Sequence, residues 1–118
     1  GLAYLDFAER HPGAYRVMFL AELCDAGRHP ALVEAANRAL AALVALVAAG
    51  QGDGTVGRDR SAAIVAAAVW AAVHGHASLL LDGQIRDGGG DVAGPPPADR
   101  RFLVAMIAAG IAPRPETA

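Results

Sequence analysis

Between Ser61 and Asp82 the chain carries no charged residue, and whatever folds there has to be hidden. Plotted at 100° per residue, Val65, Val69, Val73 and Leu80 mark one side of a helix. Ala63, Ala67, Trp70, His74 and Leu81 mark a second side, and Ile64, Ala68 and Leu79 a third. A helix that is apolar all round is stable only when it is covered all round. A chain of 118 residues makes one domain, too small to wrap such a helix by itself. A partner chain is the economical cover for the remaining face, and the predicted helix runs from about Asp59 to Ile85.

Proline and glycine divide the rest into further helices. The first spans about Leu2 to Arg10 and stops before Pro12, because the residue ahead of a proline avoids the α region. The second spans Pro12 to about Ala26, with Gly27 as its stop. The third starts at Pro30, where a first-turn proline costs nothing, and continues to Gly50. Its face of Leu32, Val33, Ala36, Leu40, Leu43, Val44 and Val47 is expected to cover the outside of a core. Gln51 to Gly57 and Asp87 to Pro97 read as loops, and Pro113 to Ala118 as a frayed tail. The last helix, Ala98 to Ile111, turns almost wholly apolar after Arg101. The fold class is therefore all-α, with about five helices in one domain over residues 1–118. The last two helices carry surplus apolar surface, which predicts a two-fold dimer closed as a four-helix bundle. The expected interface is Val69, Val73, His76 and Leu80 with Phe102, Ala105, Met106 and Ala109. The small side chains of Ala67, Ala71 and Gly75 allow close backbone approach there.

Composition excludes several functions. The net charge is −2, every basic residue is arginine, and no basic stripe is visible, so direct DNA binding by this segment is not expected. Cys24 is the single cysteine and lacks companions for a disulfide or a structural zinc. His74 and His76 are two apart and diverge on a helix, so no metal site is expected. No cofactor loop is present: Gly88-Gly89-Gly90 lacks the strand, lysine and helix start of a phosphate cradle. Enzyme signatures are missing, with His74 and Asp82 two turns apart as the nearest reactive pair. The start has no secretory pattern, and the lack of an initial methionine reads as a fragment or the ordered part of something longer. Ala39 to Ala49 is too short to span a bilayer, and Ala62 to Leu81 is interrupted by His74, Gly75, His76 and Ser78. The expectation is a cytoplasmic, non-membrane protein.

Trp70 and His74 lie one turn apart on a shared face. They read either as a core tryptophan beside a satisfied histidine or as a pocket wall with one orienting polar contact. Tyr4, Phe7, Tyr15, Met18 and Phe19 gather in the first two helices, and core and pocket remain equally open for them. Gly75 inside a helix costs about 1 kcal/mol relative to alanine, for which close packing is the usual reason.

Trp70-x-x-x-His74-Gly75, followed by Leu79, Asp82 and Gly83, resembles the Trp-x-x-x-His-Gly signature of a TetR-family C-terminal domain. Upstream, Tyr4-x-x-Phe7, His11-Pro12, Tyr15 and Met18-Phe19 resemble the opening of that domain. The resemblance covers nearly the whole chain. It implies an orthogonal helical bundle that dimerises through its last two helices and holds a small, apolar effector. It places the pocket at Tyr4, Phe7, Tyr15, Met18, Phe19, Trp70 and His74. It further implies an N-terminal helix-turn-helix domain, absent from this sequence, as the route to DNA. The competing expectation is a purely structural helical dimerisation module with no pocket.

Overall fold

The computed structural model describes residues 1–20, 25, 27–88 and 93–114. Five helices and one minimal strand pair make up this region: α1 (Leu2–Arg10), α2 (Pro12–Met18), α3 (Pro30–Asp53), α4 (Ala62–Leu81), β1 (Arg86–Asp87), β2 (Pro97–Ala98) and α5 (Arg100–Ile111). Cys24 and the centre of the 87–97 loop, 89–92, lie outside the described residues.

Helix ends follow from specific bonds. His11 closes α1 with its N–H on the Phe7 carbonyl, and Pro12 opens α2 in the first-turn position. The expected helix to Ala26 instead ends at Met18. There the Phe19 and Leu20 N–H groups tighten onto the carbonyls of Arg16 and Val17. Gly50 does not stop α3, because its missing side chain makes room for Val56: a Cβ there would sit 2.7 Å from Val56 Cγ2. The helix runs on to Gly54, whose φ of 84° supplies the left-handed cap. Ser61 caps α4 by accepting from the Ile64 N–H, so this helix starts three residues later than expected. At its other end Arg16 donates to the Leu81 carbonyl at 2.7 Å and reaches Asp82 at 3.2 Å. Asp99 caps α5 by accepting from the N–H groups of Arg101 and Phe102. The expected 87–97 loop is pinned at both ends by the parallel pair, Arg86 opposite Pro97 and Asp87 opposite Ala98.

Helix α4 is the spine. Against one end pack α1, α2 and α5, forming a core of Leu5, Ala8, Tyr15, Val73 and Ala77. Against the other packs α3, forming a second core of Val47, Val65 and Ala66. Of the apolar face of α3 only Val47 is buried, Leu32, Val33, Leu43 and Val44 are half-buried, and Ala36 and Leu40 are exposed. The protomer measures 49 × 48 × 17 Å with a radius of gyration of 16.6 Å. A compact chain of this length would have about 13–14 Å. A thickness of 17 Å leaves room for no more than two layers of helix. The slab cannot cover both sides of its own helices.

Of the α4 residues expected at an interface, one is buried within the chain itself. Val73 is buried beneath Leu5 and Tyr15, Val69 packs in the second core, and His76 and Leu80 are half-buried. Val73 is therefore taken up inside its own protomer. The exposed residues of α4 are Ala63, Ile64, Ala67, Ala68, Trp70, Ala71 and Leu79. On α5, Phe102, Ala105, Met106 and Ala109 are all exposed, Phe102 to 66%. At 24 and 20 residues, α3 and α4 are long and apolar enough by length and composition to cross a membrane. The stretch Ala39 to Ala49 thus lies inside a longer helix than its own length suggests. Core helices of soluble proteins meet the same criterion, and Glu34 and Arg38 form an ion pair on the flank of α3.

Candidate functional site

The packing of α1 and α2 on α4 brings two phenols to one imidazole. Leu5 and Ala8 bury one side of α1, which leaves Tyr4 leaning toward α4. Tyr15, only 2% exposed, projects from the short α2 onto the same spot. The Tyr15 hydroxyl lies 2.7 Å from His74 Nδ1, and the Tyr4 hydroxyl lies 3.1 Å from the same atom. Tyr4 also donates to the Tyr15 oxygen at 3.2 Å. Burial pushes the Tyr4 phenol well above its ordinary value, with the bond to Tyr15 adding to the shift and a donor from Trp70 opposing it. The Tyr4 phenol is therefore a neutral donor at physiological pH.

Rings enclose this polar knot on one side. The Tyr4 and Tyr15 rings meet edge to face with centroids 5.7 Å apart, and Tyr15 packs on Phe19 at 5.1 Å. Phe19 sets its ring against His74 at 4.3 Å, and Trp70 flanks the same imidazole at 5.9 Å. Trp70 remains 41% exposed, and Phe19 and Met18 are also exposed. Polar atoms at the base and open aromatic surface above make a patch suited to a small, mostly apolar molecule.

Five of the seven residues expected at a pocket thus converge: Tyr4, Tyr15, Phe19, Trp70 and His74. Met18 stands exposed on the same short helix. Phe7 does not join them, because its ring packs on His11 at 5.3 Å instead.

A second feature carries no signal in the sequence. Arg100, at the start of α5, bonds Asp6 at 2.8 Å, Asp87 at 2.8 Å and also Glu9. These carboxylates, Glu9 and then Asp87, raise the guanidinium above its ordinary value. The hub fastens α1 and the strand pair to α5. Beside it lies an open groove of about 790 Å³, lined by Leu2, Asp6, Asp87, Pro97, Arg101 and Phe102 among others. Its central guanidinium is already shared among three carboxylates, so a ligand there would have to compete with the Arg100 ion pairs. The aromatic patch offers unspent hydrogen-bonding capacity instead. Among the described residues, no group of three or more His, Cys, Asp or Glu side chains is placed to hold a metal ion.

Residues 1–109 match the model of the tetracyclin repressor-like C-terminal domain. The chain belongs to that family. No curated protein and no solved structure matches it. The five helices fit an all-α tetracyclin repressor-like C-terminal domain, the family that the paired motifs around Tyr4 and Trp70 resemble.

Proposed function

We propose that this tetracyclin repressor-like domain is the effector-binding and homodimerisation part of a cytoplasmic, non-enzymatic transcription regulator. The observation that carries the reading is the Tyr4–Tyr15–His74 knot under the exposed rings of Phe19 and Trp70. A small, largely apolar effector would cover those rings. DNA would be contacted by a helix-turn-helix domain outside these residues.

Dimerisation is supported by the slab shape and by the exposed apolar sides of α4 and α5. Ile64 is 58% exposed, and the Phe102, Ala105, Met106, Ala109 stripe lies open. Gly75 strengthens the case. A Cβ at this position would meet nothing within 4 Å, so no contact inside the protomer requires glycine there and its cost of about 1 kcal/mol is not recovered. Backbone approach by a second copy would recover it.

The mechanism is linkage. An effector that binds one arrangement of the dimer better than another shifts the population toward it. Tyr4 sits on α1, the first helix, so the ring patch and the route toward a preceding head share one element. A coupling of about 1–3 kcal/mol would change operator affinity roughly 5–150-fold.

One observation favours the second reading, a structural dimerisation module. The 790 Å³ groove is lined by residues other than the ring cluster. Fluorescence titration of Trp70, the single tryptophan, with a panel of small apolar compounds separates the two. Saturable quenching abolished by substitution of the neighbouring Phe19 supports effector binding. A flat response to every compound leaves the structural module.

A further inference from the structure

The hydrogen-bond arithmetic of the knot fixes which face of His74 a ligand meets. Each phenol has one proton to give, and the shortest contact is Tyr15 to Nδ1 at 2.7 Å. With Tyr4 donating to the Tyr15 oxygen at 3.2 Å, both protons are used if Nδ1 accepts. The opposite tautomer would send the Tyr15 proton to the His74 carbonyl at 3.5 Å, at the limit of a hydrogen bond. Nδ1 is therefore the acceptor, and a neutral imidazole then carries its proton on Nε2.

Among the described residues no hydrogen bond reaches Nε2. None of their buried side-chain nitrogens lacks a partner, so Nε2 is not a buried orphan but opens at the surface. The imidazole that carries it has the Phe19 ring 4.3 Å and the Trp70 ring 5.9 Å from its own centroid. We infer that His74 Nε2–H is a preset donor for an uncharged carbonyl on a flat, otherwise apolar molecule. This rests on the effector-binding reading above and names the ligand class for it. The flanking rings suit a flat body by stacking. A carboxylate suits the site less well: the nearby cation Arg16 is engaged by Leu81 and Asp82, and a desolvated charge beside neutral groups is costly.

The matched probes are fluorenone and fluorene, which share a flat tricyclic shape and differ by one carbonyl. Binding is read from Trp70 fluorescence, and the His74 tautomer from a long-range ¹H–¹⁵N correlation spectrum of labelled protein. The expected result is Nε2 protonated and Nδ1 bare, with fluorenone bound about 3- to 10-fold more tightly than fluorene. Fluorenone should also shift the His74 Nε2 signal. His74→Gln, which keeps an amide donor, should retain the preference, and His74→Leu should abolish it. Equal affinity for the two probes, or a preference that survives His74→Leu, overturns the donor assignment while the effector site stands. A proton found on Nδ1 does the same. Binding of neither probe removes the effector reading together with this inference.

Discussion

Removing the two phenolic hydroxyls separately and together probes how His74 is held. In Tyr15→Phe, the 2.7 Å bond to Nδ1 is lost, but the Tyr4 hydroxyl already lies 3.1 Å from that atom and takes over. In Tyr4→Phe, the Tyr15 bond stays, while the 3.2 Å bond between phenols and the bond from Trp70 go. The single changes therefore cost one neutral hydrogen bond for Tyr15→Phe and two for Tyr4→Phe, about 0.5–1.5 kcal/mol each. The double change leaves Nδ1 with no donor in a half-buried site, which adds an unsatisfied-acceptor penalty of about 1–3 kcal/mol. The total then exceeds the sum of the singles by about 1 kcal/mol or more. Urea unfolding at fixed protein concentration measures this, provided that the four m-values agree. Additivity within about 0.3–0.5 kcal/mol would refute the shared-acceptor argument.

Three other outcomes rest on the same structure. Arg100→Ala leaves Asp6, Glu9 and Asp87 facing one another and should cost about 1–2 kcal/mol in low salt, less in high salt; a salt-independent loss would argue against an ionic hub. An added Cβ at Gly75 meets no neighbouring atom within 4 Å, so in Gly75→Ala helicity should hold or rise while the dimer weakens; unchanged dimer affinity by sedimentation would take Gly75 out of the interface. Tyr4 binds its proton more tightly folded than unfolded, so the stability it contributes is intact below about pH 10 and declines as pH rises toward its raised folded value. Tyrosinate absorbance should accordingly show one phenol ionising only as the fold is lost, and ionisation at the ordinary value with the fold intact would contradict its burial.

The helices are legible in the sequence because prolines and capping residues are local signals: Pro12 and Pro30 both sit at helix starts. The ends are less legible. Gly50 looks like a stop in sequence, yet it serves a contact with Val56 that only the fold creates. The inward side of α4 is hidden for a related reason. An all-apolar helix has no periodicity to show which stripe faces home, so Val73 reads as partner surface although α1 and α2 claim it. Within the site, Trp70 and His74 can be paired from one-turn spacing. Their meeting with Tyr4 and Tyr15 follows from the motif resemblance, since contacts across 59 and 70 residues leave no mark in spacing. Arg100 has no such signal. Its three carboxylates come from α1 and the strand pair, and nothing in a single chain's pattern joins them.

Native mass spectrometry of the purified chain tests the central claim most directly. The predicted result is a dimer near twice 12.0 kDa at low micromolar concentration, with its slab-like protomers closed over α4 and α5. A clean monomer under those conditions would contradict it, because the exposed faces of Ile64 and Phe102 would then need no partner, and the linkage mechanism would lose the dimer on which it depends.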